Sequence, residues 1–100
     1  MRRAKRTDDN HKALVEELRA AMPEATILDA SGTGKGFPDL VVGVWGANFL
    51  LEVKDPEKSP SRRSLTPAQT QFHDNWQGQV AVVHTAAEAI KEIAKHFKDR

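Results

Sequence analysis

The segment Asp39-Leu40-Val41-Val42-Gly43-Val44-Trp45-Gly46-Ala47-Asn48-Phe49-Leu50-Leu51-Glu52-Val53-Lys54 decides how this chain folds. Asp39 to Trp45 is rich in β-branched residues and reads as a strand. Gly46-Ala47-Asn48 reads as a turn and Phe49 to Lys54 as a second strand. Two apolar runs separated by so short a turn form an antiparallel hairpin. A hairpin returns the start of its first strand beside the end of its second, so Asp39 is expected next to Glu52. Side chains alternate across a strand. Glu52 and Lys54 therefore share a face, while Leu51 and Val53 point the other way into apolar packing. The pattern sets two carboxylates and an ammonium side by side.

Outward from the hairpin, glycines alternate through Ser31-Gly32-Thr33-Gly34-Lys35-Gly36, which reads as a loop leading into Asp39. Thr26-Ile27-Leu28 is a short β-prone run. Before it, Leu14, Val15, Leu18, Ala21 and Met22 recur at helical spacing, with a start near Thr7 to Asn10 and a stop at Pro23. On the other side, Asp55 to Ser64 is a polar, proline-bearing surface loop. Thr66 and Pro67 open a helix as N-cap and first helical residue. It is expected to run to about Gln77, burying Phe72 and Trp76, with Gly78 ending it. Gln79 to His84 reads as a strand. Thr85 then caps a final helix that buries Ala86, Ala89, Ile90, Ile93, Ala94 and Phe97. The order αβββαβα is that of an α/β domain with a four-stranded mixed sheet flanked by helices.

The chain has 100 residues, 39% of them hydrophobic, which suits one domain over residues 1–100 and not two. Residues 1–6 form a basic N-terminal arm with four cations among six residues. No cysteine is present, which excludes disulfides, thiolate metal sites and thiol nucleophiles. Any metal is left to carboxylate, carbonyl or histidine ligands, which points to Mg²⁺ or Mn²⁺. No apolar run approaches the roughly 20 residues that span a bilayer, and no apolar segment follows the basic start. No membrane association is expected, and the expected location is the cytoplasm. A net charge of +1 says little about nucleic acid. Charge distribution says more, since Arg3 and Lys5 in the arm and Lys54, Lys58, Arg62 and Arg63 form local basic groups suited to phosphates. A solvated arm and a solvated loop are the plain reading of the same groups.

The constellation of Asp39, Glu52 and Lys54 carries the chemistry. Adjacent carboxylates repel unless a cation sits between them, and a hard divalent ion is the natural occupant. Such an ion lowers the pKa of a bound water and neutralises charge developing on a phosphoryl oxygen. Lys54 supplies a point charge beside a reacting phosphate or water. Together these groups suit metal-assisted phosphodiester hydrolysis. The same strand end could also be a solvated face with a cross-strand salt bridge.

Gly36-Phe37-Pro38-Asp39-Leu40 followed by Leu50-Leu51-Glu52-Val53-Lys54-Asp55 resembles the signature of PD-(D/E)XK nucleases. More narrowly, it is similar to the stand-alone VRR-NUC-type nucleases of phages, which are close to Holliday-junction resolvases. The resemblance continues through Pro60 to Gln69 and on through Phe72, Trp76 and Gly78 to Val83. It implies a restriction-endonuclease-like core and an endonuclease acting on DNA, branched or otherwise structured, in the host cytoplasm if phage-encoded. It also implies that Asp39, Glu52 and the backbone carbonyl of Val53 bind the metal, that Lys54 positions or activates the attacking water, and that Gln69 lies near the site. Many relatives carry a glutamate on the first helix near the metal; Asn10 stands at the matching position here and is the candidate further ligand.

Lys35, Ser61, Arg62 and Arg63 are the candidate phosphate contacts of the loops, joined by Arg3 and Lys5 of the arm. The glycine loop is not a P-loop, because no Ser or Thr follows Gly34-Lys35. His11, His73, His84 and His96 share no zinc-site spacing and read as surface or helix-end residues. Trp76 falls in register with Phe72 and reads as core. Phe37, Trp45 and Phe49 cluster around the hairpin, and with the prevalence of two-fold dimers they favour a homodimer. No organic cofactor is expected. A non-catalytic nucleic-acid-binding module that keeps the nuclease fold is the rival reading, favoured by Asn10 in place of an acid.

Overall fold

The β-branched runs close into a four-stranded sheet in the computed structural model, which describes residues 9–60 and 64–98. The elements are α1 (His11–Ala21), β1 (Thr26–Asp29), β2 (Leu40–Val44), β3 (Ala47–Val53), α2 (Pro67–Asn75), β4 (Val80–Val83) and α3 (Ala86–Lys98). The order is the αβββαβα read from the sequence. Strands lie in the order β1-β2-β3-β4. The first three are antiparallel and β4 is parallel to β3, so the sheet is mixed.

The hairpin register pairs Leu40 with Leu51, Val42 with Phe49 and Val44 with Ala47. Paired residues point to the same side, which puts Leu40, Val42, Val44, Phe49, Leu51 and Val53 on one face. They join Ile27, Val83, Leu14 and Leu18 of α1, and Ala86, Ala89 and Ile93 of α3, in a single apolar cluster. Both long helices therefore cover one face of the sheet. Each presents a stripe at helical spacing, and each fully buried aliphatic side chain stabilises the fold by about 1.5–3 kcal/mol relative to exposure. The other face belongs to the opposite parity and includes Glu52. Here α2 packs, through Gln69 and through Phe72 against Phe37, with ring centroids 5.3 Å apart.

Four details depart from the sequence reading. The hairpin turn is Trp45-Gly46, not Gly46 to Asn48, because Ala47 and Asn48 are already paired in β3. Both turn residues have positive φ, at 51° and 80°, as a two-residue type I′ turn requires. The Trp45 ring, though largely exposed, packs edge-on against Phe97, 5.1 Å between centroids. The helix α2 stops at Asn75, and Trp76 continues in extended backbone. Trp76 is consequently 42% exposed rather than buried. Ala21 and Ala94 are likewise exposed, at the edges of their stripes. Thr66, by contrast, caps α2 as expected, and Thr85 accepts a hydrogen bond from Glu88 N in the first turn of α3.

Candidate active site

Extending the β2–β3 register by one residue beyond Leu40–Leu51 sets Asp39 opposite Glu52, on the face away from α1 and α3. Lys54 follows on the same face. All three are buried, with exposures of 3% for Asp39, 1% for Glu52 and 8% for Lys54. Burying such groups is costly unless each is hydrogen-bonded or paired. Asp39 is held on both sides. Its Oδ2 accepts the N–H of Val53 at 2.8 Å, and its backbone carbonyl accepts the N–H of Ala30 at 2.7 Å. The backbone that starts β2 is thereby locked to the ends of both β1 and β3, and the carboxylate cannot swing away from Glu52.

Gln69 connects the other two. Its Nε2 donates to Glu52 Oε2 at 3.0 Å, while its Oε1 accepts from Lys54 Nζ at 2.9 Å. The same Oε1 accepts the Thr66 N–H at 2.9 Å, and Gln69 N donates to Thr66 Oγ1 at 3.2 Å. Gln69 is thus the third helical residue of a capping box, which satisfies free N–H groups at the start of α2. One amide ties the start of a helix to the acid and the base of the strand beneath it. A carboxylate at this position could accept from Lys54 but could not donate to Glu52. The helix also approaches the loop ahead of Asp39. Gly36 has φ of 79°, and a Cβ there would collide with the backbone carbonyl of Ala68. Only glycine fits, and Phe37 can then lie against Phe72.

From the other side of the sheet end, Asn10 clamps two strands. Its Nδ2 donates to the carbonyl of His84 at 2.9 Å and of Lys54 at 3.2 Å. This is a donor's task that a carboxylate cannot perform, and it gives a structural reason for asparagine at the start of α1. The amide nitrogen is occupied, and the Asn10 side chain makes no capping bond to its own helix. Nearby, His11 is buried, with Nε2 3.0 Å from Asp29 Oδ2. Asp29 Oδ1 accepts from Ser31 Oγ at 2.6 Å and Ser31 N at 2.9 Å. Partial burial opposes ionisation of Asp29, but the hydrogen bonds from Ser31 and His11 outweigh it and hold the carboxyl below the usual aspartate value. On α2, one turn beyond Gln69, His73 is half-buried. Burial lowers its pKa; Asp74 opposes the shift, and the charge of Lys54 adds to it.

The donor set suits a hard cation. Asp39 and Glu52 bring two carboxylates together on rigid strand ends, the Val53 carbonyl lies in the backbone between Glu52 and Lys54, and these are oxygen ligands of the type that Mg²⁺ and Mn²⁺ take. Among the described residues, no group of three or more His, Cys, Asp or Glu side chains is placed to hold a metal. A cation here would therefore complete its shell with carbonyl and water oxygens, as Mg²⁺ commonly does.

Of the residues singled out by sequence, the structure unites Asp39, Glu52, Lys54 and Gln69. It brings Asn10 to the backbone of Lys54. Lys35 is exposed, with φ of 57°, in a turn closed by the Phe37 N–H to Gly34 carbonyl bond at 3.1 Å. Arg3, Lys5, Ser61, Arg62 and Arg63 lie outside the described residues. His11 opens α1 and His73 lies in the last turn of α2, helix-end positions as the sequence suggests; that His11 is buried and His73 half-buried is marked by nothing local in the sequence. The sequence places Asp55 at the start of a polar surface loop. It is buried, and its Oδ1 accepts the Glu57 N–H at 2.9 Å, which turns the chain out of β3. No helix of the described residues is long and apolar enough to cross a membrane. No family model, curated protein or solved structure matches this chain.

Proposed function

We propose that this protein is a metal-dependent endonuclease that hydrolyses phosphodiester bonds in DNA, on a restriction-endonuclease-like core of the PD-(D/E)XK type. The observation that carries the reading is the pairing of two buried carboxylates, Asp39 and Glu52, on one sheet face with the ammonium of Lys54 beside them. A folded domain gains nothing evident from burying this set, and perturbation of folding rules concentrates at functional sites. The resemblance of Gly36 to Leu40 and Leu50 to Asp55 to the nuclease signature supports the same reading.

Asp39 and Glu52, with the Val53 carbonyl, would hold Mg²⁺ or Mn²⁺. The bound ion would polarise the phosphoryl oxygen and acidify a water. Gln69 keeps the Glu52 carboxylate and the Lys54 ammonium at fixed positions, so that no reorganisation is needed when a phosphate arrives. Lys54 offers its remaining N–H donors to the attacking water or to a non-bridging phosphate oxygen. Lys35, in its fixed turn, and the basic residues Arg62 and Arg63 would hold the DNA backbone.

Incubation with Mn²⁺ and labelled duplex, flap and four-way DNA tests the proposal. Cleavage that stops with EDTA supports it. DNA binding without cleavage of any substrate would favour the rival, a nucleic-acid-binding module on the same fold.

A further inference from the structure

Outside the main core, one row of aromatic rings leads from the candidate site to the surface. Phe37 immediately precedes Pro38-Asp39 and meets Phe72 edge-on. Phe72 in turn stacks on Trp76, with centroids 5.2 Å apart and planes 18° from parallel. None of the three rings belongs to the apolar cluster under α1 and α3. Trp76 lies just past α2, where its N–H is bonded to the Phe72 carbonyl at 3.0 Å. Phe72 occupies one ring face, and Gly78 abuts the indole edge so closely that a Cβ there would sit 2.8 Å from Nε1. The ring is held on two sides and still exposed. Trp45, the other tryptophan, leans on α3 at the hairpin tip, the far end of β2 and β3 from Asp39 and Glu52.

We infer that Trp76 is a stacking platform for a nucleobase of the strand that enters the Asp39–Glu52 site. The inference rests on the proposed nuclease reading and narrows its substrate to DNA with an unpaired or extruded base. A ring already fixed by Phe72 and Gly78 loses little freedom when a base stacks on it. An exposed aromatic face accepts any base, because every base has a π-face. The distance is suitable. Six residues of helical rise, about 9 Å, separate Gln69 from Asn75 at the end of α2, and Trp76 follows directly. That corresponds to about three nucleotides of a stacked strand. Bases inside an intact duplex cannot reach such a ring, so the platform selects single-stranded tails, flaps or junction branches over blunt duplex.

The chain has two tryptophans, so Trp45→Phe leaves Trp76 as the sole indole reporter. In EDTA, where no cutting occurs, a 3′- or 5′-tailed duplex should quench its fluorescence saturably and a blunt duplex should not. Trp76→Ala should raise the Kd for tailed DNA about tenfold, within the range for losing one base stack. It should leave the Kd for blunt DNA unchanged. Trp76→Phe should retain most of the affinity, and both variants should melt as cooperatively as the parent. DNA binding by anisotropy with no quenching, or equal weakening for tailed and blunt DNA, would overturn the platform and leave the nuclease reading standing. No binding to any DNA would overturn both. A fluorescence blue shift with rising protein concentration, DNA absent, would assign the ring to a contact between protein chains and refute the proposal.

Discussion

The two faces of the β2–β3 hairpin use the same backbone for opposite ends. On the face toward α1 and α3, Leu40, Val42, Phe49, Leu51 and Val53 are buried by volume alone, and any apolar neighbour of the right size serves. On the other face, Asp39, Glu52 and Lys54 are buried to nearly the same degree, yet each depends on a partner of a particular kind. Val53 N–H serves Asp39, and the Gln69 amide serves Glu52 and Lys54. Apolar burial stabilises the fold and tolerates substitution within limits of volume. Polar burial of this sort holds groups still, and removing a charge from a crowded acidic pair need not destabilise at all. Stability and activity should therefore separate by face.

The largest expected effect is on the polar face. On the proposed nuclease reading, Glu52→Gln removes a ligand charge and should lower Mn²⁺-dependent cleavage about a thousandfold, equivalent to several kcal/mol of lost charge stabilisation. Its melting temperature should stay at or above that of the parent. Leu51→Ala, the adjacent residue on the apolar face, should do the reverse. It should cost about 2–5 kcal/mol of stability by denaturant titration and leave the rate per folded molecule near that of the parent. Equal loss of stability in both variants would erase the distinction between the faces.

Lys54→Ala comes next. Cleavage should fall about a hundredfold with Mn²⁺ binding retained, since the role proposed for the ammonium is on water or phosphate and not on the ion. Loss of metal binding together with folding would make Lys54 structural. Gln69→Ala sharpens the comparison, because Gln69 serves both tasks. Removing it should cost about 1–2 kcal/mol through the lost capping box, seen as a lower denaturation midpoint. It should also slow cleavage, because Glu52 and Lys54 lose their shared partner.

How far the sequence carried this account differs by region in the same way. The placement of Asp39 beside Glu52 was legible, because it follows from strand alternation and a short turn. Thr66 and Pro67 marked the start of α2 through local capping chemistry, which needs no distant partner. The turn at Trp45-Gly46 is not legible because a tryptophan at φ of 51° defies turn propensity, and its ring contact, Phe97, lies far along the chain. The helical spacing of Trp76 from Phe72 suggests core, and the two rings do stack, but the pair lies outside the apolar cluster and Trp76, just past the end of α2, stays exposed. The clamp by Asn10 and the burial of His11 depend on Lys54, His84 and Asp29, contacts that no local pattern announces.

The smallest effect lies at the Asp29 cluster beside the site. The Asp29 carboxyl is held below its usual pKa by the bonds from Ser31 and His11. A carboxyl depressed in the folded state adds stability above its unfolded pKa, and this is lost as pH falls through the lower folded value. The parent should thus lose this small contribution below about pH 4. Asp29→Asn should melt slightly earlier than the parent at pH 7, and the gap should close near pH 3. A gap that widens on acidification would reverse the sign assigned to Asp29.

Calorimetric titration of Mn²⁺ into the parent and into Asp39→Asn tests the central claim most directly. The variant keeps the size and shape of the side chain and an oxygen to accept from Val53 N–H, while its charge and its second acceptor oxygen are removed. The expected result is saturable Mn²⁺ binding to the parent, and heats near the dilution baseline for Asp39→Asn at an unchanged melting temperature. Parent and variant binding Mn²⁺ with the same affinity, or a parent that binds none, would contradict it.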